Sequence, residues 1–404
     1  MNMIIKPAHR TESVQEYYFS RKLKEIDSLN EALRAKGADA IVNLGIGAPD
    51  GMPPMPAIEA LIEGSKAPGN HAYQSYVGLP ALREAFAKWY ERYYGVALNP
   101  KNEIQPLVGS KEGILLISLA FIDKGDKVLV PDPGYPTYSS ASKLVEAEIL
   151  TYDLKEENHW WPDFDALEKM DLDGVKIMWT NYPQMPTGAR ANAELYQRLA
   201  DFGNRHHILI VNDNPYSFIL NPDPQSILAA KGAKDCCLEL NSLSKAHNMS
   251  GWRIGMLGGS AELVNEVLKV KSQMDSGMFK PLQLAAIAAL GQGPEWFKAL
   301  NAEYERRRVA AGKVFDTIGA TYDHDSSGLF LWGKVAKDNP LLAGTDPAKC
   351  VGERVSDKIL YGAGVFITPG FIFGHNGEDY IRISLCAKPE VLAKSEDKIK
   401  GILL

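Results

Sequence analysis

Residues 237–255 read CLELNSLSKAHNMSGWRIG, and this stretch indicates how the fold is built. It opens with a short apolar run, Cys237–Leu240, which is typical of a buried strand bounded by turn residues. Similar runs occur upstream at 127–131, 175–180 and 207–212. Helical patterns such as Asn192–Arg205 and Ala261–Met274 lie between or after these runs. Strands that alternate with helices predict an α/β fold, with a mostly parallel central sheet covered by helices on both faces.

The pattern changes after Pro294. A long charged helical segment, Glu295–Ile318, is followed by alternating segments such as Gly328–Trp332 and Tyr380–Leu385. These features predict a second, smaller α+β domain that is reached through a connecting helix. We expect residues 1–49 and 295–404 to form this small domain and residues 50–294 to form the large one.

Composition restricts the kinds of partner. The chain has 404 residues, 45% hydrophobic and 23% charged, with a formal net charge of −6. Without a basic excess, neither nucleic acid nor an anionic membrane is expected as a partner, and a small molecule is favoured. The cysteines have no metal-binding spacing, so no metal site is expected. No apolar run typical of a signal peptide opens the sequence, which predicts a cytoplasmic protein.

Two charged residues follow predicted strands closely. Lys245 could form a Schiff base if its pKa is lowered, although a solvated loop lysine is the simpler interpretation. Asp213 directly follows the run 207–212, where a carboxylate needs a cationic or hydrogen-bonding partner. A protonated pyridine nitrogen would serve, and Tyr216 could then donate to an oxygen on the same ring. The alternative for Asp213 is a helix N-cap or an Asx-turn before Pro215.

A second group of motifs lies at the ends of other predicted strands. In the turn VGSKEG, residues 108–113, a helix start offers free backbone N–H groups for a phosphate. Ser110 and Lys111 would contribute, unless Ser110 is a plain N-cap. The prolines of residues 130–138 would hold Tyr135 rigidly enough to stack on a flat ligand. Asn181 directly follows the predicted strand 175–180, which places it at the same edge of the predicted sheet as these motifs.

An arginine interrupts an apolar strand near the end of the chain. Arg382 lies within Tyr380–Leu385, so it needs an anionic partner if it points inward. A substrate carboxylate, bound by two parallel hydrogen bonds, would meet that need. The alternative is an outward-facing arginine on a half-exposed strand.

Taken together, these motifs resemble the class I/II aminotransferases, which are pyridoxal-5′-phosphate enzymes of fold type I. The similarity runs from Leu44–Asp50 through Tyr73–Arg83 to Pro369–Gly374 and the strand that carries Arg382. Its most specific part is the combination of SLSK…GWRIG with an upstream N-D-x-x-Y element. The resemblance implies transfer of an amino group from an L-amino acid to a 2-oxo acid by a ping-pong mechanism.

The resemblance also implies a role for each matching residue. Lys245 matches the lysine that holds the cofactor as a Schiff base and then acts as the proton shuttle. Asp213 matches the partner of the pyridinium nitrogen, and Tyr216 the tyrosine on the phenolic oxygen of the ring. Tyr135 matches the stacking aromatic residue. The positions that match phosphate ligands are Ser110, Lys111, Ser242 and Arg253, with Ser244 assisting.

Further matches concern the substrate and a second subunit. Arg382 matches the arginine for the substrate α-carboxylate, and Gly47 the backbone position beside it. Tyr73 matches a tyrosine that reaches the phosphate of the neighbouring subunit, which implies a homodimer with shared active sites. Within 273–283, where some relatives have an arginine for an acidic side chain, this chain offers Lys280. That favours donors such as alanine, methionine or LL-diaminopimelate.

One departure from the family pattern concerns the cofactor ring. Met185 precedes Pro-Thr-Gly where the family has an asparagine that binds the ring oxygen, and methionine cannot donate this hydrogen bond. Either Asn181 fills part of the role or the pKa of the Schiff base is set differently. Two other functions remain as alternatives: a C–S β-lyase of the same fold, and a non-catalytic regulatory module that senses the cofactor. The absence of a helix-turn-helix extension or basic patch argues against the second.

Overall fold

The computed structural model describes residues 4–14, 16 and 18–403. Its strands are β1 (Val42–Asn43), β2 (Ile104–Leu107), β3 (Lys127–Asp132), β4 (Glu148–Asp153), β5 (Val175–Thr180), β6 (Leu209–Asp213), β7 (Cys237–Ser242), β8 (Gly255–Gly259), β9 (Ala320–Tyr322), β10 (Phe330–Val335), β11 (Val365–Phe366), β12 (Thr368–Pro369) and β13 (Tyr380–Ser384). Its α-helices are α1 (Tyr18–Ala35), α2 (Met55–Lys66), α3 (Pro80–Tyr94), α4 (Ser110–Phe121), α5 (Pro136–Leu144), α6 (Phe164–Leu167), α7 (Ala193–His206), α8 (Ala233–Cys236), α9 (Ala261–Lys271), α10 (Lys280–Leu290), α11 (Pro294–Ile318), α12 (Val351–Ala363) and α13 (Pro389–Lys400).

A seven-stranded sheet with the order β2-β8-β7-β6-β5-β3-β4 forms the centre of the fold. Strands β7, β6, β5, β3 and β4 pair in parallel, whereas β8 runs antiparallel to both β2 and β7. Strand β6 is buried along its whole length, so both faces of the sheet are covered. The predicted α/β class is therefore confirmed, with a mixed sheet in which β8 is the reversed strand.

The predicted strand and helix bounds differ from the structure at a few ends. The run expected to begin at His207 becomes a strand only at Leu209, because His207 adopts φ 56° and ends α7. Its backbone N–H donates to the carbonyl of Gly203, as is usual for a left-handed residue after a helix. Helix α9 stops at Lys271, before the expected Met274.

A second, antiparallel sheet has the order β12-β13-β10-β9. Near it, β1 pairs in parallel with β11, which places a segment from the start of the chain beside its last hundred residues. Leu44 shares a buried apolar cluster with side chains of α11, β10 and α13. These contacts agree with the division into residues 1–49 with 295–404 and residues 50–294, which stays a prediction.

The connecting helix α11 begins at Pro294 and ends before Gly319, which has φ 77°. Proline at the first helical position and a left-handed glycine after the last turn are the usual helix limits. In the described part of the chain, no helix is long and apolar enough to cross a membrane. Nor do His, Cys, Asp and Glu side chains there form a group of three or more that could hold a metal ion.

Candidate active site

A cavity of about 560 Å³ lies at the carboxyl ends of β5, β6 and β7, where ligands bind in sheets of this kind. Residues from the second sheet and from α1 complete its wall. The predicted site residues that line it are Gly47, Ser110, Lys111, Tyr135, Asn181, Asp213, Tyr216, Ser242, Ser244, Lys245, Arg253 and Arg382. Tyr73 does not line it and is 91% exposed in the single chain.

Asp213 is the last residue of β6 and is buried at the floor of the cavity. Its Oδ2 accepts a hydrogen bond from the hydroxyl of Tyr138 at 3.0 Å, whereas Oδ1 has no partner among the described residues. Burial raises the pKa of Asp213 to about 7, although Tyr138, the nearby Ser110 and the charge of Lys245 oppose the rise. No described backbone N–H donates to this carboxylate, so the helix-cap alternative is wrong. Oδ1 is available for a cationic ring nitrogen.

Lys245 follows β7 and extends into the same cavity. Its Nζ donates a hydrogen bond to the carbonyl of Gly47 at 2.6 Å. Burial lowers the pKa of this amine, and the charges of Arg253 and Arg382 add to the effect, while Cys386 and Asp213 oppose it. A lowered pKa increases the fraction of neutral amine, which is the form that reacts with a carbonyl carbon. Because the amine is hydrogen-bonded inside the cavity, the interpretation of Lys245 as a solvated loop lysine is wrong.

The start of α4 forms a tight cradle with Arg253. Gly109, with φ 75°, occupies the N-cap position, so Ser110 is the first helical residue and not the cap. A Cβ atom on Gly109 would clash with the guanidinium of Arg253, and one on Gly255 would lie 2.9 Å from the backbone nitrogen of Ser110. Arg253 also donates to the hydroxyl of Ser244 at 3.3 Å. A helix N-terminus beside an arginine is suited to a phosphate.

Arg382 is only 4% exposed, so the outward-facing alternative is wrong. Its guanidinium lies 3.8 Å from the ring centroid of Phe330 and 4.7 Å from that of Phe373. One nitrogen, Nη2, donates to the carbonyl of Gly45 at 3.0 Å, and Nη1 lies 3.3 Å from the sulfur of Met185. Two aromatic faces and a carbonyl hold the guanidinium at the cavity wall.

Asn181 bridges two backbone segments. Its Nδ2 donates to the carbonyl of Asp213, and its Oδ1 accepts from the backbone N–H of Met185 at 2.8 Å. Tyr216 is half-buried, and its removal from water raises the pKa of its phenol. Tyr135 is half-buried and its ring stands edge-on to that of Tyr138. Their assigned roles toward the cofactor stay predictions.

Several residues at the cavity were not predicted from the sequence. Tyr138 is the clearest, since it binds Asp213 directly; its signal was a second tyrosine three residues after Tyr135 at the start of a helix. Phe330 and Phe373 hold Arg382, and Phe19 of α1 also lines the cavity. Nothing in the sequence distinguished these phenylalanines, because the pattern of apolar residues is the same whether they line a site or fill an ordinary core.

Comparison with known proteins gives a consistent result. The family model for aminotransferase class I and II matches residues 39–395. An LL-diaminopimelate aminotransferase from Dehalococcoides mccartyi is 38% identical over 397 residues, which cover 98% of each chain. One from Aquifex aeolicus is 38% identical over 398 residues, covering 96% of this chain and all of the relative. The substrate-bound structure of BacF from Bacillus subtilis superimposes with a TM-score of 0.90 at 33% identity, covering 100% of this chain and 98% of that one.

The residues of the cavity fit the cofactor of this family, pyridoxal 5′-phosphate. The cradle of Gly109, Ser110 and Arg253 suits its phosphate, and the unpartnered Oδ1 of Asp213 suits its ring nitrogen. Lys245 extends into the same cavity. Fold, cavity and sequence similarity thus agree that the chain belongs to the class I and II aminotransferase family and is a pyridoxal-5′-phosphate-dependent aminotransferase.

Proposed function

We propose that Lys245, Asp213 and Arg382 carry out the aminotransferase reaction of this chain. The observation that supports this assignment is that all three side chains line one cavity although they come from distant parts of the sequence. Lys245 would hold the cofactor, Asp213 would pair with its ring nitrogen and Arg382 would bind the substrate α-carboxylate. Amino donor and 2-oxo acid would use the same cavity in turn, which gives ping-pong kinetics.

When bound, the cofactor supplies an electron-withdrawing ring that stabilises negative charge at the substrate Cα. The amine of Lys245, once the amino group of the substrate has taken its place, would move the proton from the substrate Cα to the cofactor carbon C4′, which is the shift that amino transfer requires. Its lowered pKa suits this role, because a general base works best when its pKa is near the working pH. A cationic partner would draw the pKa of Asp213 down from about 7 and keep the carboxylate charged.

Arg382 is placed to orient the substrate. Nη2 donates to the carbonyl of Gly45 at 3.0 Å, and Nη1 lies 3.3 Å from the sulfur of Met185, which is a weak acceptor. A carboxylate would form stronger, charge-assisted hydrogen bonds with this guanidinium. The flanking rings of Phe330 and Phe373 exclude water and so strengthen the ion pair.

We propose LL-diaminopimelate as the amino donor and 2-oxoglutarate as the acceptor. The relatives at 37–38% identity are named for that donor. Apolar side chains of Phe19, Leu23 and Ile46 line one wall of the cavity, where the methylene groups of diaminopimelate would lie. The charged end of that substrate would then extend toward solvent or toward a second subunit.

The test of this proposal is a panel of donors compared by kcat/KM with 2-oxoglutarate as acceptor. LL-Diaminopimelate should give the highest value, and Lys245→Ala should abolish turnover while the fold is retained. A higher value for methionine or alanine would replace the proposed donor. Continuous release of ammonia and pyruvate without an oxo acid would instead identify a β-lyase and refute the transfer reaction.

We further propose a homodimer in which Tyr73 reaches the active site of the other subunit. Tyr73 is exposed, and the neighbouring His71 ring lies 5.9 Å from that of Phe279, itself 42% exposed. Met52 and Met55 are also exposed. Exposed apolar side chains of this size are typical of surfaces that another chain covers.

Hybrid dimers provide the test of shared active sites. Lys245→Ala subunits, mixed with Tyr73→Ala subunits, should regain activity that neither parent has, since one site of each hybrid would contain both native residues. Light scattering would measure the oligomeric state. A monomer, or hybrids without restored activity, would refute the shared site.

We retain a cytoplasmic location as a proposal, because amino acids and 2-oxo acids are metabolised there. Cell fractionation of a tagged chain would test it, and recovery in a membrane or extracellular fraction would overturn it.

A further inference from the structure

Arg307 is a buried charged residue that the proposed reaction does not use. It belongs to α11, is 6% exposed and does not line the cavity. Its Nε lies 2.8 Å from Oε1 of Glu303, and its Nη1 lies 2.8 Å from Oδ1 of Asp50. A buried guanidinium is costly unless it is paired and hydrogen-bonded, and these two carboxylates offset that cost.

The same guanidinium also binds the chain just beyond β13. Nη1 donates to the carbonyl of Cys386 at 3.0 Å and to that of Leu385 at 3.4 Å. These residues come directly after the strand that carries Arg382. Arg307 therefore joins two separate parts of the chain, the segment that ends at Asp50 and the segment that leaves β13.

The first of these parts lines the cavity, and the second directly follows the strand whose Arg382 lines it. In the segment 44–50, the carbonyl of Gly45 accepts from Arg382 and that of Gly47 accepts from Lys245. The backbone N–H of Ser384 donates to the carbonyl of Leu44 at 2.8 Å, so the segment already lies along β13 at its start. Arg307 fixes its other end.

The segment has little space in which to shift. A Cβ atom on Gly47 would clash with the ring of Phe330, the ring on which the guanidinium of Arg382 lies. A movement of the Asp50 end would consequently change the position of Gly47 relative to Phe330 and Arg382. Closely packed interiors transmit such shifts instead of absorbing them.

We propose that Arg307 is a positioning residue for amino-acid binding, which holds segment 44–50 against the end of β13 so that Gly47 and Arg382 meet the substrate together. This inference rests on the proposed role of Arg382 in binding the substrate carboxylate. Arg307 does not touch the substrate; it acts through Asp50 and through the carbonyls of Leu385 and Cys386.

Three variants of the loaded enzyme test the proposal. Arg307→Lys keeps the charge but cannot reach Asp50, Glu303 and both carbonyls at once, and Asp50→Asn removes only one charged partner. Arg306→Lys is the matched control, because Arg306 lies on the same helix and pairs with Glu303 but is exposed. We expect the first two variants to raise KM for the amino donor about tenfold while kcat stays within about twofold of the native value, since misplaced binding groups weaken orientation. The control should match the native enzyme.

A second measurement separates this inference from the proposed function. The affinity for 3-phenylpropionate, a carboxylate without a reactive amine, should fall by a similar factor in Arg307→Lys and Asp50→Asn when measured by calorimetry. A fall in affinity would support the positioning role even if the native enzyme did not transfer amino groups. Unchanged KM and unchanged affinity in both variants would overturn it, even if their thermal stability were lower, because that result would indicate a purely structural ion pair.

Discussion

His247 is a buried histidine two residues after Lys245, and its environment predicts a specific loss of stability in acid. Its ring packs 5.6 Å from that of Phe297 and 6.3 Å from that of Trp89, centroid to centroid. Neither ring nitrogen has a hydrogen-bond partner among the described residues. Burial lowers the pKa of His247 from 6.5 to about 3. The imidazole is therefore neutral in the folded protein at pH 7.

The size of the effect follows from the two pKa values. Because the unfolded chain binds the proton near pH 6.5 and the folded chain only near pH 3, stability falls as the pH falls through this window. Lowering the pH from 7 to 5 should cost about 2 kcal/mol in the free energy of unfolding from this residue alone. Above pH 6.5 its contribution does not change with pH.

The assay is urea unfolding of the native protein and of His247→Phe at pH 7, 6 and 5. Phenylalanine fits the aromatic surroundings and does not titrate, so the variant should lose about 2 kcal/mol less than the native protein between pH 7 and pH 5. His9→Phe is the control, since His9 is exposed and its variant should follow the native curve. Parallel curves for native protein and His247→Phe would refute the reasoning, because the folded site would then accept a protonated imidazole.

Three further predictions concern single side chains. Lys271→Met leaves two carboxylates without their buried cation and should lower the free energy of unfolding by about 3 kcal/mol, measured by urea unfolding. Gly47→Ala should displace the ring of Phe330 and raise KM for the amino donor about tenfold or more, with a small change in the melting temperature. Asp213→Asn should lower kcat at least about a hundredfold while the cofactor absorbance persists, because a neutral amide cannot keep the ring nitrogen protonated.

Much of the fold follows from local patterns in the sequence. The apolar run 237–240 lies within β7, and the expected helix Asn192–Arg205 matches α7, which Asn192 caps through its side chain. Periodicity and capping residues are local properties, so one sequence can show them. Lys245 and Asp213 were expected at the same edge of the sheet, because parallel strands end at one edge. The structure shows this parallel pairing between β6, which ends at Asp213, and β7, which precedes Lys245.

What the sequence did not predict depends on contacts between distant residues. Strand β8, with three glycines among its five residues, was not among the predicted strands, and its reversed direction is visible only in its pairing. The hydrogen bond from Tyr138 to Asp213 joins residues 75 positions apart, and the ion pair of Asp50 with Arg307 joins residues 257 positions apart. No spacing rule covers such pairs, because the rest of the fold sets their distance.

The structure changes the significance of Met185, the departure from the family pattern. Asn181 uses its side chain to bridge the backbone at Asp213 and Met185, which favours the alternative in which the pKa of the cofactor linkage is set differently. The methionine sulfur lies 3.3 Å from Nη1 of Arg382, and sulfur is a weak acceptor that a carboxylate can replace at little cost. The substitution thus acts on two groups at once: it leaves Tyr216 as the expected donor to the ring oxygen, and it places a weak acceptor beside Arg382, the proposed partner of the substrate carboxylate.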